Sequence, residues 1–384
     1  MKRVYFDHSA TTPIDPDVLD AMLPYFKENF GNPSSIHAFG RNAKVALEDA
    51  RERVAAFIGA EATELFFTSG GTEADNMAIK GVAVQFCEKG NHIITSKPEH
   101  HAVIHTCEYL EAHGFNVTYL KPDQYGMVSA ESVAEAITDK TILISIMHAN
   151  NEVGTINPIG EIAQLARENN IRFHTDAVQS FGKLPINVKE LPVDLISFSA
   201  HKIYGPKGTG GLFIRKGVKL TNLLHGGAHE RNRRAGTENV AGIVGLAKAV
   251  DICRQRMVQD EQHIRQLRDT FHERLQQSIP KIYLNGHPEK RLAGHLNLSF
   301  EFVEGESILL SMDMKGIAAS SGSACTSGSV EPSHVLMAMG IRPELGQSAI
   351  RFTLGRYNTM EEVDYAVEIL PEIIKRLRAM SPLA

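Results

Sequence analysis

From about residue 60 onward, short runs rich in β-branched and aromatic residues alternate with longer stretches whose apolar positions recur every three or four residues. Leu65 to Thr68, His92 to Thr95, Val117 to Leu120, Ile142 to Met147, Ile171 to Thr175, Leu195 to Ser199 and Leu212 to Ile214 read as strands. Between them, Glu73 to Phe86, His101 to Ala112 and Ile159 to Glu168 read as helices. Strand runs that are apolar on both faces and separated by helices predict a largely parallel sheet covered on each side. Ligands of such a sheet gather beyond the carboxyl ends of its strands. Upstream, Ala43, Leu47, Ala50, Val54 and Phe57 predict an amphipathic helix from about Arg41 to Ile58. Downstream, Val240 to Ile279 keeps helical periodicity and leads into a small α+β unit from about Ile282. That unit has strands at Leu296 to Phe300 and Ile350 to Leu354 and a helix from Ser307.

The length of 384 residues makes two domains the expectation, and 43% hydrophobic with 22% charged residues supplies ordinary globular cores. A net charge of -5 provides no basic field, so neither nucleic acid nor an anionic membrane is expected as a direct ligand. Cys87, Cys107, Cys253 and Cys325 form neither a CxxC pair nor a disulfide framework. The first ten residues lack the apolar core of a signal peptide. A reducing, cytoplasmic setting is the expectation. Cys87, Cys107 and Cys253 lie in helical patterns and read as buried, inert thiols.

Chemistry concentrates at the predicted strand ends. Ser197-Phe198-Ser199-Ala200-His201-Lys202 delivers a lysine into the turn Gly205 to Gly211, where a desolvated amine would attack an aldehyde. Thr68-Ser69-Gly70-Gly71-Thr72-Glu73 runs a strand through two glycines into a helix start, a seat for phosphate without the Walker lysine. In His174-Thr175-Asp176-Ala177-Val178-Gln179, an ionised Asp176 facing a heterocyclic nitrogen would turn the ring into an electron sink, and Gln179 would reach a ring hydroxyl. His100 is placed to stack on a flat cofactor or to move protons. His101 and His105 have i,i+4 spacing but no third metal ligand, so no metal is expected. Asn151 follows another strand and would orient substrate or cofactor. Arg351 offers a planar fork for an α-carboxylate. Cys325 sits among small residues, Ser320 to Ser329, in a loop with little apolar surface to anchor it, so its thiol is expected to travel.

Together with Val4 to Pro13, Gly31-Asn32-Pro33-Ser34-Ser35 and Arg234-Ala235-Gly236-Thr237, these motifs resemble the pyridoxal-phosphate-dependent cysteine desulfurases of the NifS/IscS type, within the class V aminotransferase family. The resemblance covers nearly the whole chain. It implies the α/β architecture of PLP-dependent transferase fold type I: a large domain with a mainly parallel seven-stranded sheet, and a small α+β C-terminal domain. The large domain would span 15–258, and the small one 1–14 with 259–384. It further implies that Lys202 is the Schiff-base lysine, that His100 stacks on the ring of pyridoxal 5'-phosphate, and that Asp176 and Gln179 pair with the ring nitrogen and phenolic oxygen. Gly71, Thr72, Ser199 and His201 would hold the phosphate. Thr237 would reach the cofactor of the other subunit in a homodimer, and Asn151 and Arg351 would take the carboxylate of L-cysteine. Cys325 would accept the sulfur as a persulfide and pass it to an iron-sulfur scaffold or a tRNA-thiolating enzyme. Ala235 stands where many relatives carry serine. The competing readings are a class V transaminase or lyase, which needs no thiol nucleophile, and a sulfur-relay scaffold without chemistry.

Overall fold

The computed structural model describes residues 2–322 and 332–381. Helix α1 (Ala38–Phe57) buries Ala43, Leu47, Ala50 and Val54, one face at helical spacing, and His37 caps its start by accepting from the Gly40 N–H. A seven-stranded sheet follows: β1 (Leu65–Thr68), β2 (His92–Ser96), β3 (Asn116–Leu120), β4 (Thr141–Ser145), β5 (Arg172–Asp176), β6 (Leu195–Ser199) and β7 (Gly210–Ile214). Helices α2 (Gly71–Phe86), α3 (His101–Glu111) and α4 (Ile159–Glu168) connect its strands. The strand order is β1-β7-β6-β5-β4-β2-β3. Only β7 runs antiparallel to its neighbours. The link from β6 to β7, residues 200–209, contains no crossover helix, and a link that short returns a strand in the opposite direction.

One helix, α5 (Val240–Ser278), is 39 residues long, about 58 Å. Its first half buries Ile243, Leu246, Val250 and Cys253 in the core beneath the large sheet. Its second half places Leu267, Phe271 and Leu275 in a separate core with Phe6, Leu298 and Phe352. That second core is framed by β8 (Ile282–Asn285), β9 (His295–Phe300), α6 (Gly305–Asp313), β10 (Ala349–Thr353) and α7 (Met360–Met380). The small sheet is antiparallel in the order β10-β9-β8. The beginning of the chain joins this unit, since Val4–Tyr5 pairs with Ile317–Ala318 and Asp7 bridges to Thr353.

The expected elements occur with shifted ends. Helix α2 starts at Gly71, two residues before the predicted Glu73, so that its first N–H groups border the site described below. One expectation is overturned: Cys87 is exposed, because it lies at the C-cap of α2, past the turn that packs on the sheet. Cys107 and Cys253 are buried as expected.

Candidate active site

Beyond the carboxyl ends of β1, β2, β4, β5 and β6 lies a cavity of about 320 Å³, lined by Gly71, Thr72, Asp75, His100, Asn151, Asp176, Gln179, Ser199, His201, Lys202 and Arg351 together with Ser9, Ala10 and Val178. Five strand-end segments and one strand of the small sheet therefore bring ten of the twelve expected site residues into one space.

Lys202 ends a single helical turn after β6. Its Nζ donates to the carbonyls of Ser9 and Ala10, both at 2.6 Å. The N-terminal segment that supplies these acceptors is stitched down locally. Thr12 Oγ1 donates to the His201 carbonyl at 2.9 Å, Thr11 Oγ1 lies 3.1 Å from His201 Nδ1, and Ser9 Oγ donates to the Asn151 carbonyl at 2.6 Å. Gln179 Nε2 donates to the Ser9 carbonyl at 3.0 Å, and its Oε1 accepts from Lys183 at 3.3 Å.

At the opposite wall, α2 begins at Gly71 with no side chain capping it, since its N-cap is Gly70 at φ 154°. A Cβ on Gly71 would meet Val178 Cγ2 at 2.5 Å, so only glycine lets this helix start close against the β5 turn. Its first amide groups and the positive end of its dipole border the cavity. Thr72, Ser199 and His201 stand beside it.

Asp176 accepts from the Val178 N–H at 2.8 Å through Oδ1, which leaves Oδ2 for the cavity. Burial pushes its carboxyl up to about 6, against the Val178 hydrogen bond and the Lys202 charge, which lower it. Asp75, on the first turns of α2, is buried beside it and is also held well above the usual carboxylate range, by burial first and by Asp176 second. Its Oδ1 lies 3.6 Å from His174 Nε2. His174 sits between Ser197 Oγ at 2.9 Å and Ser145 Oγ at 2.8 Å, and burial lowers it to about 3, so it is a neutral spacer behind Asp176. His100 caps α3 by accepting from the Ala102 N–H at 3.1 Å, which fixes Nδ1 as acceptor and leaves Nε2 as the protonated nitrogen. Burial, then the Lys202 charge, lowers it to about 4, so the ring is neutral at pH 7.

Arg351, on β10, is buried and ion-paired through Nη2 with Asp7 at 2.9 Å, while Nη1 donates to the Asn151 carbonyl at 3.2 Å. Its Nε and the Oδ1 of Asn151 are buried without protein partners. Ser320 exchanges two backbone hydrogen bonds with Arg351, at 3.2 and 2.6 Å. Ser320, five residues before Cys325 in the sequence, is thus held at the wall of the cavity. Cys325 lies outside the described residues. Ser333, beyond it in the sequence, donates to buried Glu152. Thr237 is exposed and does not line the cavity. Its loop is fixed by Arg234, which donates to Glu73 at 2.8 Å.

Residue reasoning missed Asp7, Ser9 and Asp75. The first two belong to the N-terminal motif, but nothing in it announces contacts some 190 and 340 residues away. Asp75 reads as an ordinary helix residue. Among the described residues no group of three or more His, Cys, Asp or Glu side chains is arranged to hold a metal, although the rings of His101, His105 and His334 approach one another. No helix among them is long and apolar enough to cross a membrane.

A sequence profile of the aminotransferase class-V family matches residues 4–366. The cysteine desulfurase IscS of Methanosarcina thermophila is 57% identical over 382 residues, covering 100% of this chain and 94% of that protein. A solved structure titled a NifS-like protein superposes with a TM-score of 0.93 at 40% identity, covering 98% of this chain and all of the other. Another, SspA in complex with cysteine, superposes with a TM-score of 0.82 at 38% identity, covering 93% of this chain and all of the other.

Proposed function

The chain belongs to the class-V aminotransferase family, and we propose that it works there as a pyridoxal-phosphate-dependent cysteine desulfurase, converting L-cysteine to L-alanine and carrying the sulfur as a persulfide on Cys325. One observation carries this reading. The lysine, carboxylate and phosphate seat that such chemistry requires line a single cavity, and the backbone of its carboxylate-binding arginine is bonded to Ser320, five residues before Cys325.

The residues fit the cofactor. An uncapped start of α2, with the hydroxyls of Thr72 and Ser199 and the His201 ring beside it, suits a phosphate dianion. Asp176 presents Oδ2 to a ring nitrogen, His100 offers a neutral imidazole face, Gln179 an amide, and Lys202 the amine for an aldehyde. When bound, pyridoxal phosphate supplies an electron sink for a carbanion at Cα of the amino acid.

The chain's own residues do the rest. A ring cation beside Asp176 reverses the penalty that burial alone imposes on this carboxylate, so it is ionised in the loaded enzyme. Asn151 and Arg351 orient the substrate carboxylate, which places the Cα–H toward Lys202 Nζ, the base that takes the proton. Cys325 attacks the substrate sulfur as a thiolate: an S–S bond forms, the C–S bond breaks with its electron pair left on carbon, a proton equivalent to the one the thiol lost goes to that carbon, and Lys202 returns a proton to Cα to complete alanine. With Nδ1 engaged by the Ala102 N–H, neutral His100 presents an Nε2–H that donates to the incoming sulfur and favours its thiolate form.

The same reading divides the chain into 15–258 and 1–14 with 259–384, supported by the two hydrophobic cores that α5 joins. It makes the active form a homodimer in which Thr237 completes the partner's site. Support comes from the exposed side chains of Phe26, Phe30, Ile36 and Phe39, the last two 91% and 54% accessible, an apolar patch that a second subunit would cover. The sulfur acceptor in this reading is an iron-sulfur scaffold or a tRNA-thiolating enzyme, and the setting is the reducing cytoplasm, where a persulfide survives. The test is Cys325→Ser: it is expected to keep the bound cofactor's visible absorbance and lose alanine formation from cysteine by at least about a hundredfold. Undiminished alanine formation would refute the thiol's role and favour a lyase.

A further inference from the structure

We propose that the cavity between α5 and the small sheet, behind the Lys202 turn, binds a small oxyanion of the sulfate or phosphate kind, with Arg291 as its main ligand. The cavity measures about 160 Å³, and Lys183, Met257, Arg291, His295 and Arg356 are among its walls. It shares Ser9 and Lys202 with the active-site cavity, and its other lining residues are different.

The carrying observation is a buried cation without a counter-charge. Arg291 is 4% exposed, and its guanidinium makes no hydrogen bond or ion pair, with Nε and Nη1 fully enclosed. Three of the nearby carboxylates are already committed, two of them, Asp260 and Glu261, in the cavity wall. Asp260 bridges Arg256 and Arg356, at 3.2 and 2.9 Å, Glu261 holds Arg265, and Asp269 holds Arg268 at 2.7 Å. Glu289 also borders the cavity but is exposed and makes no ion pair with Arg291. Burial, then the Arg268 charge, lowers Arg291 only to about 10, so it remains charged at neutral pH. A buried, uncompensated guanidinium is unfavourable, and its planar donors match an oxyanion.

A second side chain points the same way. His295 is 3% exposed and its Nε2 has no partner. Burial and the surrounding Lys183, Arg351, Arg268 and Arg291 charges keep it neutral, so Nε2 can serve as an N–H donor toward the anion. Lys183 supplies an amine, and that amine also donates to Gln179 Oε1 in the active-site wall. An anion here would therefore brace the joint between α5 and the small sheet and fix Lys183 against Gln179.

The test uses the cofactor-loaded enzyme, checked by its visible absorbance, so that the cofactor's own phosphate seat is filled. Sulfate is titrated at constant ionic strength against chloride, with thermal midpoint and calorimetric heat as readouts. Wild type is expected to show a saturable rise in midpoint and a measurable binding heat. Arg291→Met is expected to lose both, and in sulfate-free buffer to unfold at the same or a higher temperature than wild type, because it no longer buries an unpaired charge. An equal rise in Arg291→Met would mean only the general salting effect of sulfate and would overturn the site, as would absence of a saturable heat in wild type. Should Arg291→Met not fold, Arg291→Lys serves instead: it keeps the charge, loses the fork, and is expected to weaken sulfate binding about tenfold. Unchanged affinity there equally overturns the proposal. None of these readouts depends on desulfurase turnover, so failure here leaves the proposed reaction untouched.

Discussion

Arg351 is held by Asp7 Oδ1 and the Asn151 carbonyl before any substrate arrives, and only its Nε remains without an acceptor. A carboxylate entering the cavity must bond that Nε and share a terminal nitrogen, so Asp7 aims the fork and at the same time lessens its net charge. Asp7→Ala is accordingly expected to raise KM for cysteine about tenfold, roughly 1.4 kcal/mol, with little change in kcat and none in cofactor absorbance. Asp7→Asn keeps an acceptor of the same shape and is expected to restore most of the loss. A KM unchanged in Asp7→Ala would show that Arg351 is aimed by its strand alone. Lys202, Asp176, Gln179 and His100 were legible in the sequence because each follows a strand whose apolar run marks its end, and a parallel sheet gathers those ends on one edge. Asp7 and Asp75 were not, because their meaning depends on pairings across the chain that no local pattern encodes.

Between β7 and α5 the chain passes through three non-glycine residues in the left-handed region, Glu230, Arg231 and Asn232, at φ 44°, 53° and 63°. Conformations of this kind cost about 1–3 kcal/mol each and persist only where surroundings impose them. The constraint is a buried ion pair. Glu230 receives both terminal nitrogens of Arg51 at 2.7 Å and the Phe67 N–H at 2.8 Å, while Arg51 also donates to the Leu65 carbonyl at 2.9 Å. Helix α1, strand β1 and the loop that carries Arg234 and Thr237 are thereby locked together. Arg51→Met leaves the Glu230 carboxylate buried and unpaired and is expected to cost about 3–5 kcal/mol in urea unfolding. Arg51→Met with Glu230→Leu is expected to recover a large part of that. A single-variant loss below about 1 kcal/mol would mean that the loop keeps its shape without the pair. The sequence disclosed the elements on either side of this loop through their periodicity, and it disclosed neither the loop's geometry nor the reversal of β7. Helix α7 escaped notice although its apolar spacing is regular, and β8, with four residues, is too short for its alternation to stand out.

Building a site on the edge of a buried sheet leaves the whole molecule with many enclosed titratable groups, and their balance sets its response to acid. Burial alone lowers His148 to about 4 and His174 to about 3. Burial also leads in lowering His8, His100, His201 and His272, each to about 4. An imidazole depressed in the folded state is neutral there and protonated in the unfolded chain between its folded value and about 6.5. Its contribution is complete above pH 6.5 and is lost as pH falls toward 4, because the unfolded state binds the extra proton. Carboxyls held high act in the opposite sense. Glu99 near 8, Glu152 near 7 and Asp176 near 6 are protonated in the folded state at pH 5, so acidification favours folding through them. The imidazoles outnumber these carboxyls, so their direction prevails. For the cofactor-free protein, the urea midpoint is expected to fall steadily between pH 6.5 and 5, with net proton uptake on unfolding. His148→Gln removes one of the protons taken up and is expected to lessen the slope by about 1.4 kcal/mol per pH unit. A midpoint that stays level or rises over that interval would mean that the carboxyls, not the imidazoles, govern the acid response.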